Sequence, residues 1–172
     1  MSEKEMISLL RHKRHDWMNQ IQLIHGYATL GRQDRLMDQI DQIREESEQE
    51  RRLLNSHSYD FSLWLITFNW KHDQFRVKYS IHEDIDLSRH DETLTAYGRR
   101  MIDLMSLHIT EEALYEGSVH IYQGYESQTI SLSWEWNGLF KDAEGLKQRL
   151  NEEGFIATVF ENEELSIEMM IE

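Results

Sequence analysis

Along the first third of the chain, apolar residues recur at the spacing of one face of a helix. Ile7, Leu10, Trp17, Ile21, Ile24 and Ala28 lie on a seam of alternating three- and four-residue steps, interrupted by Arg14. After a break from Thr29 to Asp34, which contains Gly31, the seam resumes through Leu36, Ile40, Ile43, Ser47, Glu50 and Leu54. Glu and Arg flank both seams, as on solvated faces. A break this short predicts two antiparallel helices in a hairpin over residues 1–56. Two such helices cover each other poorly, because Met6, Leu9, Met18, Leu23 and Met37 flank the seams. The expectation is that the hairpin docks on a second copy as a four-helix bundle, making a homodimer. The alternative is that it folds back on the chain's own second region.

Residues 57–172 change period. An aromatic helix is predicted from Tyr59 to Trp70, a strand over Phe75–Ile81, and helical spacing from Asp91 to Glu116 through Leu94, Tyr97, Met101, Leu104, Met105 and Leu114. Strands are expected over Ser118–Tyr122 and Thr129–Trp136, turned at Gly124 to Ser127. A helix follows over Ala143–Asn151, then a hairpin of Phe155–Phe160 and Leu165–Ile171, turned at Glu161 to Glu164. The class is α+β, a helical hairpin followed by an α/β sandwich.

Composition narrows the function. A net charge of −14 is the wrong sign for a general nucleic-acid binder or for adhesion to anionic membrane. The absence of Cys removes disulfides, thiolate zinc sites and Cys nucleophiles, and the absence of Pro leaves turns to Gly, Asn, Asp and Ser. No apolar run approaches the ~18 residues of a membrane span and no secretory leader is visible, so the expected address is the cytoplasm.

Most of the nine His have plain readings, solvated or structural. His15 stands apart because it falls about 130° from the centre of its helix seam. Its neighbours there are Arg11, Asn19 and Gln22, with His12 and Gly26 further round. Residues 1–30 carry a net +1 and the remainder −15, so the first helix does not repel an acidic partner or a phosphate. A neutral imidazole is a good nucleophile near neutrality and accepts a phosphoryl group through a transition state that asks mainly for positioning. A metal reading of His12, His15 and Asp16 lacks a further ligand at familiar spacing, so no metal is expected. On the residues alone, a solvated His and a phosphoryl carrier both stand.

The stretch Leu9-Leu-Arg-His-Lys-Arg-His-Asp-Trp-Met-Asn-Gln-Ile-Gln-Leu-Ile-His-Gly26 goes further. Within it, Arg14-His15-Asp16-Trp17-Met18-Asn19 resembles the phosphoacceptor box of two-component histidine kinases, in the variant carried by the sporulation phosphotransferases of spore-forming bacilli. Tyr59-Asp-Phe61 and Leu65-Ile-Thr-Phe-Asn-Trp-Lys71 resemble the segment after the hairpin in the same family. The resemblance covers nearly the whole chain and weakens after about Ser88.

The resemblance implies a dimeric phosphorelay protein whose C-terminal domain is similar to a degenerate kinase ATP-binding domain. Such a protein takes a phosphoryl group from the aspartate of one response regulator and gives it to the aspartate of a second, a transcription factor. It implies His15 as the phosphoacceptor, with Arg14, Asp16 and Asn19 in support and Arg11, His12 and Gln22 on the surface that meets the regulator. No cofactor of its own is implied; Mg²⁺ is expected in the receiver domain of the partner. ATP binding is not expected, because no Gly-x-Gly occurs and the middle helix, read as carrying Glu111-Glu112-Ala113, has no suitable Asn. The other functions to weigh are a non-catalytic module that sequesters a regulator, and a kinase fragment.

Overall fold

The computed structural model describes residues 2–124, 129–161 and 163–172. Two compact units divide between Arg51 and Arg52.

The first unit holds helix α1 (Glu3–Thr29) and most of α2 (Gln33–Leu54). Ser2 starts α1 with a capping box: its hydroxyl accepts the Glu5 N–H, and its own N–H donates to the Glu5 carboxylate at 2.6 Å. The reversal uses Gly31 at φ +65°, a left-handed conformation that a side chain disfavours. The helices run antiparallel, tied by a Lys13–Glu50 ion pair and by Gln20 Nε2 donating to Glu46 Oε2 at 3.3 Å. Glu50, a polar member of the α2 seam, is therefore matched to a cation on α1.

The helices do not meet seam to seam. On α2 the half-buried residues include the seam positions Leu36, Ile40, Ile43 and Glu50, with Gln39, Glu48, Gln49 and Arg52 beside them, while Ser47 and Leu54 of the predicted seam are exposed. On α1 the half-buried side chains include Leu9, Lys13, Gln20, Ile24 and Tyr27, on average roughly a quarter turn from the seam centre. Ile7, Leu10, Trp17 and Ile21 remain exposed, Trp17 by 62%, and α1 buries no residue fully.

The second unit is one five-stranded sheet with three helices on one face. In chain order these are α3 (Tyr59–Lys71), β1 (Phe75–Ile81), a 3-10 turn at Ser88–His90, α4 (Asp91–Ser106), β2 (Tyr115–Gln123), β3 (Ile130–Asn137), α5 (Ala143–Glu152), β4 (Ile156–Phe160) and β5 (Glu164–Ile171). Strand order is β1-β2-β3-β5-β4. β1 and β2 are parallel because α4 crosses between them; the other pairs are antiparallel. Trp64 of α3 anchors the core, stacked on Phe61 and edge-on to Phe68 and Trp134. The Trp64 ring lies so close to Gly98 that an added Cβ there would sit 2.6 Å from it.

Leu53, in the last turn of α2, is fully buried in this core. Its carbonyl accepts from the hydroxyls of Ser56 and Ser62, and Ser58 completes the buried hydroxyl cluster. Arg52 donates to the Ile81 carbonyl, and the Leu87 N–H to that of Ser56.

One predicted element is corrected. Helical spacing was expected from Asp91 to Glu116, but α4 ends at Ser106 and Glu111-Glu112 lie in a turn. Tyr115 decides this: it is fully buried, begins β2 against Phe75, and its hydroxyl accepts the Thr110 N–H while donating to the Leu139 carbonyl. His108 therefore lies beyond the helix, with its Nδ1 2.9 Å from the Lys141 carbonyl. Residues 125–127 of the turn expected at Gly124 to Ser127, and residue 162 of the Glu161–Glu164 turn, lie outside the described residues. Among the described residues no helix is long and apolar enough to cross a membrane.

Candidate functional site

The His15 side chain is 73% exposed on α1. Residues one turn apart on a helix are neighbours, and Asn19 accordingly sets its Nδ2 3.3 Å from His15 Nδ1. Asp16 points about 100° away from His15 at its Cα, yet reaches sideways to place Oδ1 3.4 Å from the same nitrogen. Both contacts converge on Nδ1. The two contacts belong to different tautomers: with Nδ1 protonated it donates to Asp16 and the lone pair is left on Nε2, whereas the Asn19 amide donates to Nδ1 only when the proton is on Nε2.

His12, one turn before Asp16, is held differently. Its Nδ1 lies 2.8 Å from the Ser8 carbonyl, so this ring is tied back to its own helix. Ser8 was not singled out from the sequence; the signal for it is the four-residue step to His12. Arg11 and Gln22 are exposed on the His15 side, within about 40° of it round the helix. Arg14 is also exposed but leaves the helix between Leu10 and Trp17, about 100° from His15. The structure thus brings Asp16 and Asn19 to the imidazole, sets Arg11 and Gln22 beside it, and directs Arg14 to the apolar side.

Asp16 and Asn19 both approach one imidazole nitrogen, and the described residues contain no group of three or more His, Asp or Glu placed to hold an ion. In the second unit α4 carries no Asn. Asn69 of α3 brackets the Val77 backbone at 3.0 and 2.8 Å, and Asn151 of α5 accepts the Ala157 N–H, so both amides are occupied by structure.

Two family models together match the whole chain. Residues 1–56 match the α-helical domain of the SpoOB-type sensor kinases, and residues 57–172 match the C-terminal domain of sporulation initiation phosphotransferase B. The chain is 30% identical over 139 residues to the sporulation initiation phosphotransferase B of Bacillus subtilis (strain 168), which spans 80% of this chain and 72% of that relative. The chain belongs to the sporulation initiation phosphotransferase B family.

Proposed function

We propose that this protein is the histidine phosphoryl carrier of a phosphorelay, moving a phosphoryl group between the aspartates of two response-regulator receiver domains. The observation that carries this reading is the exposed His15 ring, with Asp16 Oδ1 beside Nδ1 to accept its proton and Nε2 left outward. The Nε2 lone pair attacks phosphorus of an incoming aspartyl phosphate. The P–N bond forms, the P–O bond breaks, and its electron pair leaves with the carboxylate. The resulting imidazolium keeps its Nδ1 proton on Asp16, which offsets the positive charge. In the second half a carboxylate oxygen of the other receiver attacks the same phosphorus and the P–N electron pair returns to Nε2. No net proton moves and no nucleotide enters, so the relay runs in either direction.

Arg11, His12 and Gln22 form the surface met by the receiver, on a helix whose region does not share the chain's negative charge. Mg²⁺, which neutralises phosphate oxygens in such transfers, belongs to the receiver's own acidic pocket. The exposed Ile7, Leu10, Trp17 and Ile21 support a second hairpin docking on α1 to complete a four-helix bundle. The setting is the cytoplasm.

Incubation with a ³²P-labelled receiver domain tests the reading. The intact protein is expected to become labelled and to pass the label to a second receiver, while His15→Ala remains unlabelled and still dimeric. Equal labelling of the His15→Ala protein would overturn the assignment. Labelling from γ-labelled ATP without a receiver would instead make the protein a kinase.

A further inference from the structure

β4 is an edge strand of the sheet, and Ile156, Thr158 and Phe160 project from it on the face away from the helices. Ile156 and Phe160 are 62% and 54% exposed. Met170 of β5, diagonal to Ile156 on the same face, is 69% exposed. Strand register sets Glu168 directly beside Ile156 and Glu164 beside Phe160. The surrounding sequence has one sign throughout: residues 151–172 contain seven Glu and no Lys or Arg. Half of the chain's net charge of −14 therefore lies in its last 22 residues, with Glu164 and Glu168 on the same sheet face as the apolar patch.

Edge strands are normally protected by charges on the edge itself. Here the arrangement is reversed, because β4 (Ile-Ala-Thr-Val-Phe) carries no charge and the carboxylates stand one strand inward on β5. Addition of a further strand is hindered, since the Ala157 N–H is already taken by Asn151 Oδ1 at 3.0 Å. The available contact is with the side chains of the sheet face. A second copy would set carboxylates against carboxylates, and nucleic acid or anionic membrane would be repelled.

We infer that this face docks a cationic amphipathic segment of a partner protein, with apolar side chains on Ile156, Phe160 and Met170 and Lys or Arg over Glu164 and Glu168. The pattern is that of an apolar centre with a charged rim, and charge complementarity selects the partner's sign. This docking is independent of the His15 chemistry.

The test is an NMR titration of the ¹⁵N-labelled full chain with a short amphipathic peptide of lysine and leucine. A lysine–serine peptide of equal length and charge is the control. The lysine–leucine peptide is expected to shift β4 and β5 resonances and to bind at least about tenfold more tightly than the control. Ile156→Ser with Phe160→Ser is expected to remove that preference, Glu164→Lys with Glu168→Lys to weaken binding about tenfold, and His15→Ala to change nothing. The charge-reversal pair replaces exposed side chains and serves if the serine pair lowers the melting temperature. Equal binding of the two peptides, shifts spread over the whole acidic surface, or β4–β5 shifts produced by raising protein concentration alone would each overturn the inference.

Discussion

At the scale of single residues, two imidazoles three positions apart on one helix have different fates. The His12 ring is anchored to the Ser8 carbonyl, whereas His15 rests on two side chains and stays open. Helical angle puts both imidazoles on the polar side of α1, and it is the resemblance of Arg14-His15-Asp16-Trp17-Met18-Asn19 to the phosphoacceptor box that singles out His15. The Asp16 contact was not legible in that way, since consecutive residues diverge and only the side-chain conformation brings the carboxylate back. Asp16→Asn is expected to slow receiver-to-His15 transfer by about tenfold, on the order of one charge-assisted hydrogen bond. Rapid-quench measurement of single-turnover labelling checks this, and an unchanged rate would remove Asp16 from the proposed role.

A second residue-scale prediction concerns His72. Burial against Phe68, with ring centroids 4.2 Å apart, holds its pKa below the ordinary 6.5; Lys71 adds to the effect and Asp103 and Asp73 oppose it. The unfolded chain then binds the proton more readily than the folded one. Folding stability should fall as pH drops below about 6.5 and level off once the folded His72 is itself protonated. His72→Gln should flatten that part of the pH profile, as read by urea unfolding across pH 7 to about 5.

At the scale of elements, the hairpin, α3, β1, α5 and the β4–β5 pair were legible because each has its own apolar period and turn residues. The end of α4 was not. Nothing local announces that Tyr115 is claimed by Phe75, forty residues earlier in the chain. Tertiary pairing overrides local spacing there. A related long-range constraint sits inside α4. Gly→Ala in a helix ordinarily stabilises by up to ~1 kcal/mol. Gly98→Ala should instead destabilise by about 1–3 kcal/mol, because the new methyl meets the Trp64 ring. Thermal or denaturant unfolding of this variant gives the sign directly.

At the scale of the whole molecule, α1 presents two kinds of exposed surface on opposite sides. The side bearing His15 is polar, and the side bearing Leu10 and Trp17 is apolar. The proposed dimer uses the second to leave the first accessible. Trp17→Glu should convert the protein to a monomer in sedimentation velocity runs and reduce transfer, although His15 itself is untouched. A dimer unaffected by Trp17→Glu would mean that the contact lies elsewhere.

The placement of Leu53 bears on how the chain can be cut. By sequence it ends a hairpin helix, but by packing it fills the interior of the sheet unit, beneath the hydroxyls of Ser56 and Ser62. Excising the C-terminal piece from residue 57 onward would leave a hollow where that leucine stood, at a cost of about 2–5 kcal/mol by analogy with large-to-small core substitutions. A fragment starting at Arg52 carries its own plug and should melt well above the shorter one.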